Sequence, residues 1–279
     1  MSIKDITIVI ASFKSEKKIK NCLNSIDKHT KVFVIENSDD LIFKANLEKE
    51  FSNVECVLAG TNIGYGSSNN IGLKKVKTKY ALILNPDAAL HPSALENFIK
   101  ATENVDNFAI MAPYIQKEKD KFDEHSKNIT PIEVKNVKGF AMFLNISEFK
   151  EVGFFDENFF FYFEEIDLCR RLTNKGKKIY LIPEVKINHG GGISHDESIN
   201  VEMELSRNWH WMWSTFNYHK KYKGFFVSFF IILPKMSSAI IKVLIYTLMF
   251  NKKKKIYYQR LSGLINAIIG KSSWYRPKV

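Results

Sequence analysis

One short segment places carboxylates directly after aromatic side chains. Residues 155–171 read FDENFFFYFEEIDLCRR, and three acids, Glu164, Glu165 and Asp167, follow a run of four phenylalanines and one tyrosine. A carboxylate held against an apolar surface has a raised pKa, because burial disfavours its charged form. Such a group can take up a proton near neutral pH. The segment is therefore a candidate for a general base.

Helical spacing separates the three acids. A helix that begins near Phe163 puts Glu165 on its apolar stripe. That stripe is formed by Leu168, Cys169 and Leu172. Asp167 falls on another face, four residues before Arg171, where an ion pair would be structural, and Glu164 suits the positive end of the helix dipole. The pattern favours Glu165 as the base.

A second group of candidate residues follows a buried strand. ALILNPDAAL, residues 81–90, brings Asn85 and Asp87 to the end of that strand, and Pro86 prevents the ladder from continuing. A carboxylate in this position can hold Mg²⁺ or Mn²⁺ together with substrate phosphates and water. His189, in INHGGGISH, is a candidate second ligand, and the glycines after it suit a loop that closes over a ligand. The alternatives are an Asx turn that ends the strand and a structural histidine.

The elements that must position these residues alternate between strands and helices. ITIVIA (6–11), VFVIEN (32–37), VECVL (54–58) and YALIL (80–84) are strand-like, and helical patterns lie between them. This alternation predicts an α/β fold with a doubly wound, mostly parallel sheet, which binds ligands beyond the carboxyl ends of its strands. The polar residues expected there include Ser12, Glu36, Asn37, Asp39, Asn62 and Asn85.

The loop TNIGYGSSNNIG, residues 61–72, does not have the spacing of a dinucleotide fingerprint. Gly64 and Gly66 allow close backbone approach, and Asn69 offers a donor at the expected start of a helix. A flexible turn with a helix cap and a loop that faces a nucleotide both fit this pattern.

Charge is divided unevenly along the chain. The net charge is +11, but residues 205–279 contain 14 Lys and Arg and no Asp or Glu. The remaining 27 basic residues stand against all 30 acidic residues, so residues 1–204 carry −3. We therefore predict a catalytic domain over 1–204 and a basic helical segment over 205–279 that meets an anionic surface.

The most apolar run, residues 225–250, lies within that basic segment. Pro234, Lys235 and Lys242 interrupt it, and NKKKK follows, so the pattern predicts helices that lie in a membrane interface rather than a clean span. Lysines set among long apolar runs favour lipid over nucleic acid. The alternative is a helix pair that packs on the body or on a second copy in a homodimer.

Cysteine usage and the N-terminus bear on the compartment. Cys22, Cys56 and Cys169 have neither zinc-like nor redox spacing, and the apolar run in MSIKDITIVIASF is too short for a signal peptide. We expect the body in the cytoplasm, on the inner face of the cytoplasmic membrane.

Together, these motifs resemble the family 2 glycosyltransferases, and within them the bacterial rhamnosyltransferase-like branch. The matching stretches, over about residues 5–195, are TIVIASFKSEKKIKNCLNSI, VFVIENSDD, NIGYGSSNNIG, ALILNPDAAL, VKGFAMFLN, GFFDENFFFYFEEIDLCRRL and HGGGISH. The resemblance implies a GT-A fold and inverting sugar transfer from a nucleoside diphosphate, dTDP- or UDP-linked, to a lipid-linked glycan of the bacterial cell envelope.

The resemblance also implies roles for individual residues. The family's metal motif corresponds to Asn85-Pro86-Asp87, with asparagine in place of its first aspartate, and its later metal-binding histidine corresponds to His189. The family's base falls on Glu165, and Glu164 and Asp167 would position the base or the acceptor. The nucleotide would be held by Ala11, Ser12, Glu36, Asn37, Asp39 and Asn62.

Two other function classes stay open from the sequence. A sugar-nucleotide nucleotidyltransferase would need a glycine-rich basic loop after the first strand, and IASFKSEKK contains no glycine. A non-catalytic, membrane-bound module that binds nucleotide sugars would need none of the carboxylates to act as a base. The sequence leaves open the sugar, the nucleotide, the acceptor and the oligomeric state.

Overall fold

The structure is a computed structural model that describes residues 2–114, 130–190 and 194–278. The chain forms two compact units. The first comprises residues 1–63, 67–155 and 168–196, and the second comprises residues 64–66, 156–167 and 197–279. The polar, charged stretch over 116–136, which its composition predicts to be a surface loop or hairpin, lies mostly outside the described residues. Gly191 and Gly192 lie entirely outside them.

The first unit is built on an eight-stranded sheet with the order β3-β2-β1-β4-β8-β6-β9-β7. Strands β1 to β4 are mutually parallel, as the sequence predicts, whereas β8 runs antiparallel to both β4 and β6. The strands of the chain are β1 (Ile6–Ser12), β2 (Lys31–Glu36), β3 (Val54–Leu58), β4 (Tyr80–Leu84), β5 (Ala88–Leu90), β6 (Phe108–Pro113), β7 (Ile132–Glu133), β8 (Ala141–Asn145), β9 (Lys178–Ile182) and β10 (Ile187–His189).

Continuous apolar runs account for the central strands. In β4 all five residues are buried, and in β1 six of seven are. A parallel strand covered on both faces reads as an uninterrupted hydrophobic run rather than an alternating one. Register pairs Ser12 with Glu36, so the polar residues that follow β1 and β2 meet at one edge of the sheet.

The described residues form eight α-helices. They are α1 (Glu16–Asn24), α2 (Leu41–Glu50), α3 (Tyr65–Lys75), α4 (Ala94–Ala101), α5 (Glu164–Asn174), α6 (Asn200–Lys223), α7 (Phe225–Leu248) and α8 (Lys254–Ile268). Of these, α6 to α8 belong to the second unit. In α1, Ile19, Cys22 and Leu23 form a buried stripe at helical spacing. Asp40 caps α2, and its carboxylate accepts from the backbone N–H groups of Ile42 and Phe43.

The second unit packs its helices around aromatic side chains. Trp209 of α6 is fully buried, and a Cβ added at Gly263 of α8 would overlap its carbonyl oxygen. Only glycine allows the two helices to approach this closely. His210 stacks on Phe160 with ring centroids 4.5 Å apart, and burial lowers the pKa of His210 to about 3.

The apolar run of the second unit forms a single helix. Pro234 lies inside α7, which continues over 24 residues from Phe225 to Leu248. Neighbouring apolar residues maintain the helix on both sides of the proline, although its missing N–H removes one backbone hydrogen bond. Within the described part of the chain, α7 is the one helix long and apolar enough to cross a membrane.

The predicted division at residue 204 remains a prediction. The second unit, defined by contacts within the chain, includes 197–279 and also takes in the aromatic and acidic segment 156–167. That segment is joined to it by packing: Phe159 belongs to the same buried cluster as Trp213 and Phe216. Sequence patterns cannot reveal this association, because it depends on contacts between distant residues.

Candidate active site

Strand pairing brings Asp87 and His189 together. After β4, the chain turns through Asn85-Pro86-Asp87 and enters β5, which pairs antiparallel with β10. Register sets His189 opposite Ala88, and the N–H of Gly190 donates to the carbonyl of Asp87 at 3.2 Å. As a result, Nε2 of His189 lies 3.4 Å from Oδ1 of Asp87. The sequence predicted both as metal ligands without showing that they meet.

The donor atoms around this pair fit a divalent cation. Among the described residues, Nε2 of His189 and Oδ1 of Asn85 are buried and have no hydrogen-bond partner. The ring of His189 is held by stacking on Phe140, with centroids 4.5 Å apart, and Phe140 also accepts a hydrogen bond from the N–H of Asn85. An orphaned imidazole nitrogen and amide oxygen beside a carboxylate form a suitable partial ligand set for Mg²⁺ or Mn²⁺.

No group of three or more His, Cys, Asp and Glu side chains gathers anywhere in residues 2–114, 130–190 and 194–278. The site at Asp87 therefore offers few protein ligands. This suits a cation whose other ligands come from phosphates and water, and does not suit a closed structural metal centre.

The expected nucleotide-binding edge is formed where β1 and β2 end. Asn37 donates from both its backbone and its side chain to the carbonyl of Ser12, at 2.9 and 3.1 Å. The side-chain oxygen of Asn37 accepts from the Ser68 hydroxyl at 2.7 Å. The Ser12 hydroxyl is buried without a partner among the described residues. The strands thus fix Asn37 firmly and present an unused hydroxyl beside it.

Glu36 organises the loop that follows β2. Its carboxylate accepts from the N–H groups of Ser38 and Asp40, at 2.8 and 2.9 Å, and from the Ser38 hydroxyl. Asp39, between them, is exposed and adopts a left-handed conformation with φ of 57°. Glu36 therefore holds the loop, whereas Asp39 projects from it. Ala11 and Asn62 are partly exposed near the same edge.

The structure places Asn69 away from its expected position. Helix α3 begins at Tyr65, so Asn69 lies inside the helix and is fully buried, whereas Gly66 lies in the first turn. Gly64 makes a close backbone approach, as the sequence predicts. It has φ of 88°, and a Cβ there would overlap the carbonyl oxygen of Phe160. The expectation that Asn69 supplies a donor at the helix start is wrong, and this weakens its assignment to the nucleotide.

The aromatic run ends in two strained residues. Tyr162 and Phe163 have φ of 68° and 71°, a conformation that is costly for side chains of this size. Helix α6 holds them: Trp211 packs edge-on against Tyr162 at 5.2 Å, and Tyr218 lies 5.0 Å from the Phe163 ring. The chain then enters α5 at Glu164, one residue after the predicted start.

Burial acts on both acids that begin α5. Glu164 is 7% exposed and Glu165 is half-buried, and desolvation raises the pKa of each carboxyl. The charge of Glu165 raises the pKa of Glu164 further. Glu164 lies in the first turn of α5, at the helix end predicted for it, and is also buried there. Each carboxyl therefore holds its proton more tightly than an exposed glutamate does.

Asp167 is the most deeply buried of the three acids, with 0% exposure. Its Oδ1 lies 2.6 Å from Nζ of Lys221 and accepts from the Tyr222 hydroxyl at 2.7 Å. Lys221 also reaches Asp156 at 2.7 Å. Asp167 is thus tied to the end of α6, a contact that the sequence did not reveal. Arg171, its expected partner, donates to the carbonyls of Val152 and Phe154.

The family assignment comes from the part of the chain that contains the parallel strands and the acidic segment. Residues 7–170 match the profile of Glycosyl transferase family 2. The chain belongs to this family. It is a glycosyltransferase, as predicted, and the nucleotidyltransferase and non-catalytic alternatives are not supported. The matched range contains Asp87 and all three acids of residues 164–167, whereas His189 lies beyond it.

Two curated glycosyltransferases are similar over much of their length. Rhamnosyltransferase WbbL of Escherichia coli K12 is 28% identical over 248 residues, a match that covers 76% of this chain and 91% of that protein. The low-salt glycan biosynthesis hexosyltransferase Agl10 of Haloferax volcanii is 24% identical over 200 residues, covering 63% of this chain and 64% of that protein. The expected rhamnosyltransferase-like branch is thereby supported.

Solved structures of glycosyltransferases share the fold, which is GT-A-like as predicted. S. aureus TarS 1–349 superposes with a TM-score of 0.54 at 12% identity, covering 97% of this chain and 93% of that chain. The mannosyltransferase PcManGT from Pyrobaculum calidifontis, solved with GDP-Man and Mn²⁺, also superposes with a TM-score of 0.54 at 12% identity. The match covers 95% of this chain and 86% of that chain.

Proposed function

We propose that this glycosyltransferase moves rhamnose or a related hexose from a nucleoside-diphosphate sugar to a hydroxyl of a glycan, with inversion at the anomeric carbon. The observation that carries the proposal is the carboxyl of Glu165, half-buried at the first turn of α5 with a raised pKa. A base of this kind can take a proton from an acceptor hydroxyl near neutral pH.

In the proposed reaction, the Glu165 carboxylate removes the proton from the acceptor hydroxyl as its oxygen attacks the anomeric carbon. The new C–O bond forms while the bond from that carbon to the diphosphate oxygen breaks, and the bonding electrons leave with the nucleoside diphosphate. One displacement inverts the configuration. Glu164 would tune and position the base through its proximity, and Asp167, pinned by Lys221, would fix the start of the helix.

Asp87 and His189, with Asn85, would hold a divalent cation, Mg²⁺ or Mn²⁺. Such a cation, when bound, neutralises negative charge on a leaving diphosphate. The buried, unpartnered Oδ1 of Asn85 and Nε2 of His189 support this assignment. So do the Mn²⁺ complexes of PcManGT and of GalNAc-T7, which share the fold.

The nucleotide would lie along the edge formed by the ends of β1 and β2. The exposed Asp39 is the side chain best placed to contact a base or ribose. Asn37, buried and fixed by Ser12 and Ser68, would hold the shape of this edge. Ala11, Glu36, Asn62, Gly66 and Asn69 remain part of the prediction, with Glu36 acting through the loop it holds. TarS in complex with UDP-GlcNAc and PcManGT with GDP-Man support a nucleotide-sugar donor. A dTDP- or UDP-linked sugar is our proposal.

Attachment to the cytoplasmic face of a membrane is the proposed location. Only 17% of the apolar window of α7 is buried, and exposed residues line it. These are Phe226, Phe230, Ile241, Leu244 and Leu248. Lys252 to Lys255 follow, all exposed, and each lysine near an anionic leaflet contributes about 1 kcal/mol. Membrane attachment would bring the enzyme to a lipid-linked acceptor; a homodimer through α7 is the competing explanation.

A donor panel tests the function. The purified full chain is incubated with Mn²⁺ and dTDP-rhamnose, UDP-hexoses or UDP-galactofuranose, with bacterial lipid extract as acceptor, and release of nucleoside diphosphate is measured. We expect release that depends on both donor and extract for one donor class. The proposal would be refuted if no donor led to release and if no nucleotide, added with Mn²⁺, raised the melting temperature of the protein.

Flotation with vesicles tests the location. We expect the full chain to float with vesicles rich in phosphatidylglycerol and to dissociate as salt is raised, because the lysine contribution is screened. A stable dimer in detergent-free buffer, with no flotation, would instead assign α7 to a contact between two copies.

A further inference from the structure

A cavity of about 290 Å³ lies in the second unit, against the aromatic run. Its lining residues are Tyr162, Glu204, Arg207, Asn208, Trp211 and Arg260. Residues 204, 207, 208 and 211 follow helical spacing on α6, so one face of that helix forms most of the wall. The volume approaches that of ordinary small-ligand pockets.

The lining chemistry favours an anion beside a flat, partly apolar group. Two of the six residues are arginines, and the single carboxylate among the six, Glu204, is exposed. Arg260 is held by neutral groups: its Nε donates to Oδ1 of Asn208 at 2.7 Å, and its guanidinium lies 5.2 Å from the Tyr257 ring. These contacts orient the guanidinium, and within residues 2–114, 130–190 and 194–278 no carboxylate forms an ion pair with Arg260. Guanidinium groups bind phosphate through paired, charge-assisted hydrogen bonds.

The aromatic wall connects this cavity to the acids of α5. Trp211, 41% exposed, packs against both Tyr162 and Phe163, and Phe163 directly precedes Glu164. A ligand in the cavity would therefore lie close to the proposed base, on the side formed by α6.

We infer that the cavity is a subsite for the acceptor, in which Arg207 and Arg260 bind a phosphate or diphosphate on the acceptor glycan and Trp211 packs on its sugar ring. The ligand class is a glycosyl phosphate or glycosyl diphosphate. The inference rests on the proposed function and deepens it, because it states which kind of acceptor presents its hydroxyl to Glu165. Glu204, at the rim, would accept a hydrogen bond from a sugar hydroxyl.

The first experiment measures anion binding without turnover. Inorganic pyrophosphate is titrated calorimetrically into the full chain in the absence of divalent cation. We expect Arg260→Gln and Arg207→Gln each to weaken binding at least tenfold, the loss expected for a charge-assisted hydrogen bond. Arg260→Lys should recover part of the affinity. Lys223→Gln, at an exposed basic residue of α6, the helix that carries Arg207, is the matched control and should bind like the parent.

The second experiment compares two acceptors of the same sugar, one carrying a diphosphate and one an uncharged glycoside. Arg260→Gln should raise KM for the diphosphate acceptor about tenfold or more and leave KM for the glycoside and for the donor unchanged. Arg260 is half-exposed, so this variant should fold, and an unchanged melting temperature verifies it.

Any one of three results would overturn the inference. These are failure of the parent to bind pyrophosphate, binding by the arginine variants that equals binding by the control, and an equal rise in KM for both acceptors. A fourth result would also overturn it: arginine variants that no longer float with phosphatidylglycerol vesicles but still bind pyrophosphate. That result would assign the arginines to lipid headgroups. If pyrophosphate binding depends on the arginines but no donor supports transfer, the proposed function fails and the anion site stands.

Discussion

Nε2 of His189 lies 3.4 Å from Oδ1 of Asp87, although the two residues belong to segments far apart in the chain. The short antiparallel pair β5–β10 creates this proximity, because it sets His189 opposite Ala88. The ring of His189 cannot turn away freely, since it stacks on Phe140. A two-residue donor set is thus positioned before any cation arrives.

Asp87→Asn and His189→Ala should abolish most of the Mn²⁺-dependent part of nucleotide binding. Each change removes a ligand from a site that offers few, so the remaining donors hold the cation weakly. The measurement is the rise in melting temperature caused by UDP or dTDP with and without Mn²⁺, with EDTA as a further control. His29→Ala, at an exposed histidine, should behave like the parent. Full Mn²⁺ dependence in Asp87→Asn would exclude the proposed site.

Glu165→Gln should lower turnover by about 10²–10⁴-fold while donor binding is retained, because glutamine cannot accept the acceptor proton. Burial raises the pKa of Glu165, so the acid limb of kcat/KM should lie above the pH expected for a free glutamate. Activity should fall as pH drops through that raised pKa, since the protonated carboxyl is no longer a base. Near-normal turnover in the variant would refute the assignment.

Glu164→Gln should stabilise the fold above neutral pH. The folded pKa of Glu164 is raised, so the folded state binds more protons than the unfolded state between about 4.3 and that raised value, and stability falls as pH rises through this window. Glutamine removes the penalty of burying the charge. The melting temperature should rise by a few degrees at pH 8 and by less at pH 5, since 1 kcal/mol corresponds to about 2–4 °C at this size. An equal rise at both pH values would contradict the burial argument.

Lys221→Met should destabilise the second unit by about 2–4 kcal/mol, because it leaves the fully buried carboxylate of Asp167 without its cation. Adding Asp167→Asn should restore part of the loss, since the uncompensated charge is removed. Urea unfolding of the two variants measures this coupling. Lys220→Met, an exposed neighbour, is the control and should change stability by less than about 0.5 kcal/mol. An unchanged midpoint for Lys221→Met would show that Tyr222 alone satisfies Asp167.

The strands β1 to β4 could be read from the sequence because each is an uninterrupted apolar run followed by polar residues. The start of α5 was predicted within one residue, because the change from aromatic residues to acids marks it. The antiparallel insertion of β8 between β4 and β6 was not predictable in this way. A strand buried on both faces carries no local signal for its direction.

Local patterns failed where backbone geometry overrides spacing. The face argument singled out Glu165 among the acids, yet the left-handed residues Tyr162 and Phe163 redirect the chain and bury Glu164 more deeply. Asn69 was expected at a helix start, but α3 begins at Tyr65 and encloses it. Positive φ at a bulky aromatic residue has no sequence signature, because it is imposed by the side chains that pack around it.

The sequence by itself determined the class of protein, the strands that carry Asn37, Asn85 and Asp87, and the acidic residues that begin α5. These follow from side-chain polarity and chain periodicity, which act over a few residues. Tertiary structure alone decided that His189 meets Asp87, that Lys221 neutralises Asp167, and that Arg207 and Arg260 share a cavity. Each of these contacts depends on strand register or helix packing. Register and packing are set by many interactions between residues that are distant in sequence, so no local pattern encodes them.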